Sequence, residues 1–302
     1  MTGIKFTGLS AFPLTPLADD RVDERAFARI VSRLATSGVD SITALGSTGS
    51  YAYLHADERE RVTDLALEHA GDIPVFVGIG ALRTSDVIAR ANAAERSGAH
   101  GLLLAPMTYQ PLTHDDVFGL FRAVSDHTSL PVIVYDNPST THFGFSLELY
   151  ARLAQLPGIA SIKIPGALAD YETIHERVRS IREVIPPEVT IGVSGDALAA
   201  AGLNAGCDAW YSVIAGTLPE VALRITRAAR AGRAEEATRE SDRLEPLWRL
   251  FAEYGGSLRV VAALAEHLGL APKHCLPLPI RGLDEAGRAR VAQVASELGL
   301  SL

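Results

Sequence analysis

The sequence has little of what would mark a secreted or membrane-bound protein. Only two of its 302 residues are cysteines, Cys207 and Cys275, which are too few for a disulfide framework and lack the spacing of metal ligands. The N-terminus, MTGIKFTGLSAF, lacks the charged start and long apolar core of a signal peptide. No apolar run approaches the roughly 20 residues that a membrane-spanning helix needs. We therefore expect a soluble, cytoplasmic protein whose cysteines are small buried hydrophobic residues.

Basic residues are also scarce, and none of them form a block. The formal net charge is −8, with 28 Lys and Arg against 36 Asp and Glu. Such a protein is a poor partner for nucleic acids or anionic membranes. The nine histidines are scattered, and few carboxylates fall at the ends of predicted strands. The sequence therefore predicts no metal site and no cofactor.

Eight short apolar runs recur at fairly even intervals along the first 213 residues. They are rich in β-branched side chains and do not alternate strictly, as is typical of parallel strands covered on both faces. Amphipathic helical patterns lie between them; Asp23 and Gly38 bound one predicted helix, Thr113 begins another, and a third spans residues 84–98. The runs occupy residues 6–12, 41–46, 74–80, 101–106, 131–135, 159–164, 189–194 and 208–213.

Eight strands that alternate with helices predict a (β/α)8 TIM barrel. An open doubly wound sheet is the alternative, but the even spacing and the missing Gly-rich dinucleotide motif after the first strand disfavour it. We expect residues 1–218 to form the barrel core. Residues 219–302 are expected to add the last barrel helix and a C-terminal helical extension within the same structural unit.

One lysine, Lys163, interrupts the apolar run IASIKI at residues 159–164. A full ammonium charge is costly inside a strand of this kind. Either the stem packs in the barrel while the head reaches a carboxylate or water, or the amine is a nucleophile. Burial lowers the pKa of a lysine and frees its lone pair to attack a carbonyl carbon and form an imine. We favour the nucleophile, because buried unpaired lysines are rare and usually functional.

Two other strand ends supply what an imine-forming lysine needs. Tyr135 ends the strand that precedes Lys163, so its hydroxyl is expected beside the amine as a proton shuttle. The GSTG turn at residues 46–49 offers the hydroxyls of Ser47 and Thr48, with successive backbone N–H groups, to a substrate carboxylate. Such turns are common, so this one carries weight only in combination with the other two motifs.

Together, GSTG after the second strand, YDNP after the fifth and IK within the sixth resemble the dihydrodipicolinate synthase and N-acetylneuraminate lyase family. The resemblance covers essentially the whole chain, from AFPLTPL near the start through GVSGD at residues 192–196 to the helical tail. It implies a (β/α)8 barrel with a C-terminal helical extension, commonly assembled as a tetramer. It also implies a class I lyase or aldolase that acts on pyruvate or another 2-keto acid through a Schiff base.

The resemblance assigns roles to individual residues. Lys163 matches the Schiff-base lysine, Tyr135 matches the proton-shuttling tyrosine, and Ser47 matches a hydroxyl of the carboxylate-binding loop that we count among the catalytic residues. Thr48 matches the second hydroxyl of that loop, and Gly46 and Gly49 match its glycines. Besides these three, the residues that we expect to bind substrate are Asn137, Thr140, His142, Tyr109 and Ser194.

The sequence departs from the family where the synthases bind their second substrate, aspartate semialdehyde. Thr140 replaces an arginine that follows the tyrosine, Ser50 replaces a glutamate, and Thr108, with Tyr109 displaced by one, replaces a tyrosine lent across a subunit interface. We expect a different second substrate, because Thr140 and His142 offer neutral hydrogen bonds suited to hydroxyl groups. A 2-keto-3-deoxy sugar acid aldolase or dehydratase is one alternative, and a catalytically silent keto-acid-binding barrel is another. A phosphate-binding barrel, with Gly-rich turns after strands seven and eight, is the third.

Overall fold

Eight parallel strands close into a barrel in chain order, with the first strand paired to both the second and the eighth. The computed structural model describes residues 4–166 and 173–302. Each strand falls on one of the eight apolar runs, and the predicted (β/α)8 barrel is confirmed. The strands are β1 (Gly8–Ala11), β2 (Ser41–Ala44), β3 (Val75–Gly78), β4 (Gly101–Leu104), β5 (Val132–Tyr135), β6 (Ile159–Pro165), β7 (Thr190–Ser194) and β8 (Ala209–Ser212).

Helices separate the strands and continue after the eighth. A hairpin of two-residue strands, Leu17–Ala18 and Arg21–Val22, follows β1. Within the described residues, no helix has the length and apolarity that crossing a bilayer requires. The helices are α1 (Glu24–Ser37), α2 (Ala56–His69), α3 (Thr84–Ser97), α4 (His114–Ser125), α5 (Pro138–Thr141), α6 (Leu147–Leu153), α7 (Ile174–Arg182), α8 (Ala199–Asn204), α9 (Pro219–Arg230), α10 (Ala234–Arg243), α11 (Glu245–Glu253), α12 (Ser257–His267) and α13 (Glu285–Glu297).

Capping residues determine several helix ends. The Asp23 side chain accepts a hydrogen bond from the backbone N–H of Ala26 and begins α1, while Gly38 ends it in the left-handed region at φ 91°. The Thr113 side chain accepts one from the N–H of Asp116 at the start of α4. These boundaries were predicted from the sequence and are confirmed.

The barrel interior is a separate apolar cluster, distinct from the larger core between strands and helices. Aromatic side chains fill much of this interior. Phe6 stacks on Phe76 with ring centroids 4.8 Å apart, and Phe12 meets Tyr211 edge-on at 6.0 Å. The filled interior is a packed core rather than a pore, so chemistry is confined to the rim at the strand ends.

The helices after β8 pack back onto the barrel. Helix α9 contacts β1, α1 and α8, and α10 contacts α8 and α9, while α11 and α12 pack against α13. We propose from these contacts that residues 1–218 and 219–302 form one structural unit, as the sequence predicts.

Candidate active site

The amine of Lys163 lies on β6 among aromatic rings. Its Nζ is 4.0 Å from the ring centroids of both Phe12 and Tyr135 and 5.9 Å from that of Tyr211. The residue is 2% exposed. Burial lowers the pKa of Lys163, and the opposing interactions with Tyr135 and Asp196 offset this only in part. Burial therefore makes the neutral, nucleophilic form of the amine more accessible than it is for a lysine in water.

Asp196, the carboxylate whose charge acts to raise the pKa of Lys163, is already hydrogen-bonded within the protein. Asp196 accepts from the Trp210 indole, the Ser212 hydroxyl and two backbone N–H groups of the turn after β8. Within the part of the chain that the structure describes, the only salt bridge between two buried side chains joins Arg177 to Asp136, and Lys163 takes no part in it. Among the described residues, no ion pair therefore holds the Lys163 amine as an ammonium.

Strand register places Tyr135 next to Lys163. The two residues are Cα partners between β5 and β6, and the N–H of Asp136 continues this pairing by donating to the Lys163 carbonyl oxygen at 3.0 Å. Tyr135 is 6% exposed. Its hydroxyl oxygen lies 3.4 Å from Ser47 Oγ and 2.8 Å from Asn137 Nδ2. One phenol therefore connects the lysine strand with two other loops of the rim.

The GSTG turn after β2 packs tightly against the aromatic rings. A Cβ added to Gly46 would lie 2.6 Å from Phe12 Cδ1, and one added to Gly49 would lie 3.1 Å from the backbone nitrogen of Leu45. Gly46 therefore leaves no room for a side chain, whereas a side chain at Gly49 would push the neighbouring backbone by a few tenths of an ångström. Thr48 is buried at 6% exposure. The turn can approach the reacting centre only because it carries no side chain where it meets the Phe12 ring.

The loop after β5 forms a second polar wall of the site. The Asn137 amide nitrogen donates to Thr140 Oγ1 at 3.0 Å, and Ser139 Oγ donates to Asn137 Oδ1 at 2.9 Å. Thr140 and His142 are exposed, and His142 ends α5 in the left-handed region at φ 55°. The structure thus connects Thr140 to Tyr135 through Asn137, whereas His142 faces solvent at the end of the loop.

The remaining two candidate residues differ in their surroundings. Ser194 Oγ donates to the carbonyl oxygen of Ile164 at 3.0 Å, one residue beyond Lys163, and so ties the end of β7 to β6. Tyr109 is 88% exposed in the loop after β4. The structure brings Ser194 to the lysine strand and leaves Tyr109 in solvent.

Two features of the site were not predicted from the sequence. One is the enclosure of the amine by Phe12 and Tyr211. The other is a buried network in which Asp136 accepts from the Tyr150 hydroxyl at 2.5 Å and from the Arg177 guanidinium at 3.0 Å. Burial raises the pKa of Asp136 to about 6, although the Tyr150 and Arg177 contacts act to lower it. An acidic residue next to Tyr135 at a strand end is a signal that could have pointed to this network, because successive strand side chains face opposite sides.

Comparison with known proteins gives matches over nearly the whole chain. The model of the dihydrodipicolinate synthetase family matches residues 5–298. The 4-hydroxy-tetrahydrodipicolinate synthase of Phenylobacterium zucineum is 31% identical over 299 residues, which cover 98% of each protein. The dihydrodipicolinate synthase structure from Agrobacterium tumefaciens has a TM-score of 0.93 and 45% identity, and the match covers 97% of this chain and 98% of that one.

A further similar structure is a complex with pyruvate. The chloride-inhibited dihydrodipicolinate synthase from Acinetobacter baumannii, complexed with pyruvate, has a TM-score of 0.88 and 25% identity, over 98% of this chain and all of that one. The matches confirm the resemblance inferred from the GSTG, YDNP and IK motifs. The chain belongs to the dihydrodipicolinate synthetase family and is a lyase.

Proposed function

We propose that Lys163 forms a Schiff base with pyruvate or another 2-keto acid, and that the protein uses this adduct for class I aldolase-type chemistry. The observation that carries the proposal is the amine itself, which is 2% exposed, lies 4.0 Å from two aromatic ring centroids and is in register with Tyr135. Burial lowers the pKa of Lys163, which is the direction that an imine-forming nucleophile needs, and no ion pair among the described residues holds it as an ammonium. The pyruvate complex of the Acinetobacter baumannii relative supports the choice of substrate class.

Tyr135 is the group that can move protons during imine formation. The neutral Lys163 amine adds to the C2 carbonyl carbon, and one N–H proton passes through Tyr135 to the carbonyl oxygen, which gives a carbinolamine. The Tyr135 hydroxyl then protonates the carbinolamine oxygen. Water leaves as the nitrogen lone pair forms the C=N bond, and the products are an iminium ion and the Tyr135 phenolate.

The same phenolate can complete the activation of the keto acid. It takes a proton from C3, the C3–H electrons form the C2=C3 bond, and the iminium becomes a neutral enamine while Tyr135 returns to the phenol. The sum is keto acid plus amine giving enamine plus water. The enamine carbon is the nucleophile for condensation, and the reverse sequence cleaves a carbon–carbon bond. The iminium serves as the electron sink, so this part of the reaction needs no cofactor.

The substrate carboxylate is assigned to the GSTG turn. Thr48 is buried, Ser47 is half-buried, and the Ser47 hydroxyl lies 3.4 Å from that of Tyr135, so an anion held by the turn would present its C2 carbonyl towards Lys163. Gly46 and Gly49 allow the backbone to come this close. Backbone N–H groups and hydroxyls in a turn suit a carboxylate.

The second substrate is proposed to differ from that of the named synthases. Binding a second carboxylate favours a bidentate arginine, whereas this loop presents Thr140 and His142, both exposed. Neutral donors and acceptors fit the hydroxyls of a 2-keto-3-deoxy sugar acid chain. A silent keto-acid-binding barrel is disfavoured by the hydrogen-bond contact between Ser47 and Tyr135 beside the amine. Phosphate binding is disfavoured because Asp196 occupies the N–H groups of Val213 and Ile214 after β8.

Borohydride trapping tests the proposal. The protein is incubated with a panel of 2-keto acids, including pyruvate and 2-keto-3-deoxy sugar acids, and reduced, and the adduct is located by peptide mass mapping. We expect a stable adduct on Lys163 and none in Lys163→Met. Tyr135→Phe should bind pyruvate but turn over about 10²- to 10⁴-fold more slowly, the scale of a lost general acid–base group. An adduct on another residue, or none with any acid, would refute the mechanism.

A coupled assay compares second substrates directly. Pyruvate with aspartate semialdehyde is run beside the sugar acids under the same conditions. Turnover of the semialdehyde at ordinary enzymatic efficiency would contradict the assignment of a different second substrate, and turnover of a sugar acid would support it.

Assembly and location are also proposals. Three large hydrophobic side chains are exposed on the loops after β2, β3 and β4, namely Tyr53, Leu82 and Tyr109 at 49, 63 and 88%. Because consecutive parallel strands end on the same rim, these residues favour a contact between copies of the chain. We propose a cytoplasmic homo-oligomer, with a tetramer expected. Light scattering should then give a mass of four chains, and Tyr109→Glu should lower it.

A further inference from the structure

The side-chain amide of Asn137 has no N–H donor left for a substrate. One N–H donates to the Tyr135 hydroxyl at 2.8 Å and the other to Thr140 Oγ1 at 3.0 Å. The amide oxygen accepts from Ser139 Oγ at 2.9 Å. An asparagine amide has two N–H donors, so both are committed within the protein. These contacts hold the amide in one orientation with a donor aimed at the tyrosine.

The backbone of the loop is held independently of this side chain. The Asn137 carbonyl oxygen accepts from the N–H groups of Thr140 and Thr141, at 3.0 and 2.9 Å, and from Thr141 Oγ1 at 2.9 Å. Thr141 is buried, whereas Ser139 and Thr140 are exposed. A substitution confined to the Asn137 side chain leaves these backbone contacts in place, so the amide can be tested apart from the loop fold.

We propose that Asn137 is a positioning residue that sets the direction of proton transfer by Tyr135, rather than a group that contacts the substrate. The proposal rests on the proposed function of Lys163 and Tyr135. A phenol both accepts and donates a hydrogen bond. Because the Asn137 amide supplies the bond that the oxygen accepts, the hydroxyl proton points away from Asn137, towards Ser47 and the substrate atom held on Lys163.

The same contact stabilises the tyrosine after it has given up its proton. A phenolate that keeps an N–H donor at 2.8 Å has a charge-assisted hydrogen bond, which is about twice as strong as the neutral one. Asn137 therefore contributes more to the transition state than to the ground state. Its removal should slow proton transfer while leaving pyruvate binding nearly unchanged.

The exchange of the pyruvate C3 protons for deuterium, followed by NMR in D2O, measures this step without a second substrate. Asn137→Leu removes the donor at similar volume and should lower the maximal exchange rate about 10- to 150-fold, with less than about 3-fold change in half-saturation. Asn137→Asp offers only acceptors, which would draw the Tyr135 proton towards residue 137. Its maximal exchange rate should therefore fall at least as far as that of Asn137→Leu. Borohydride trapping at saturating pyruvate should reach the wild-type extent in both variants.

Asn204→Leu is the matched control. The Asn204 amide, like that of Asn137, donates to two acceptors, here the Ala234 carbonyl oxygen and the Thr238 hydroxyl. Asn204 ends α8 near the start of β8, away from the strand ends that carry the site. Its exchange rate should equal that of the wild type. If Asn137→Leu does not fold, Ser139→Ala removes the contact that fixes the amide oxygen and should lower exchange about 2- to 10-fold with full trapping.

The outcomes separate this proposal from the one on which it rests. A wild-type protein that neither traps a keto acid nor exchanges its C3 protons contradicts the proposed function itself. If the wild type does both, an Asn137→Leu exchange rate within about 3-fold of it overturns the positioning role. Equal loss of trapping and exchange in Asn137→Leu also overturns the positioning role, since that result indicates substrate contact. Exchange at the wild-type rate in Asn137→Asp overturns it as well, because it indicates that residue 137 acts as an acceptor.

Discussion

Arg59 of α2 offers a quantitative test of how the rim of the barrel is held. It is 4% exposed, and its guanidinium donates to the carbonyl oxygens of Gly78 at 2.7 Å, Gly80 at 3.0 Å and Tyr51 at 3.3 Å. Burial lowers the pKa of Arg59 to about 9, with a smaller contribution from Arg90. The carbonyls of Gly78 and Gly80 lie at and just beyond the end of β3, and that of Tyr51 follows the GSTG turn. This arginine therefore supports the substrate end of the barrel.

The cost of Arg59→Leu can be worked out from these contacts. A hydrogen bond to a charged group contributes about 1.5–3 kcal/mol. The Gly80 carbonyl oxygen keeps a second donor, the Arg90 guanidinium at 2.9 Å. The main cost is therefore the loss of the hydrogen bonds to the carbonyl oxygens of Gly78 and Tyr51. Removing a buried charge also relieves some desolvation cost. The free energy of unfolding should therefore fall by roughly 3–5 kcal/mol.

Urea unfolding followed by circular dichroism, at one protein concentration, measures this difference. Arg61→Leu is the matched control, two residues along α2, where the side chain is 45% exposed and pairs with Glu24, itself 48% exposed. An exposed pair of this kind contributes less than about 1 kcal/mol. The loss of unfolding free energy in Arg59→Lys should lie between those of the two leucine variants, because lysine keeps the charge but not the geometry of the guanidinium. A loss in Arg59→Leu no larger than in Arg61→Leu would refute the reasoning.

Three further predictions concern the site itself. The rate of imine trapping should rise with pH and level off below 10.5, the ordinary pKa of a lysine, because burial lowers the pKa of Lys163 and the neutral amine is the form that attacks. A midpoint at pH 10.5 or above would contradict this. Gly46→Ala should abolish trapping, since its Cβ would lie 2.6 Å from Phe12. Gly119→Ala within α4 is its control, because among the described residues the added carbon meets nothing beyond its own stretch of helix within 4 Å; it should trap normally and gain about 0.5–1 kcal/mol of stability. Activity should survive exhaustive chelation, because the imine is the electron sink; loss with EDTA that a divalent ion restores would favour a metal-dependent mechanism.

Local sequence was enough to predict the architecture. Strand positions follow from short apolar runs, and helix ends such as those at Asp23 and Gly38 follow from capping chemistry, both of which depend on near neighbours in the chain. Tyr135 could be placed beside Lys163 because consecutive parallel strands of a barrel are adjacent. The resemblance of the three motifs to one family then supplied roles for these residues, and the family membership was confirmed.

The surroundings of the reacting groups depended on the closed barrel. Phe12 and Tyr211 lie about 200 residues apart in sequence and meet at the amine only because β1 pairs with β8. The aim of the Asn137 amide at Tyr135 depends on side-chain rotamers within a loop, which residue spacing does not encode. The sequence by itself therefore determined which strands and which reactive residues this protein has. Only the tertiary structure decided how much water reaches Lys163 and where the Tyr135 proton points, because burial and hydrogen-bond direction arise from contacts between distant parts of the chain.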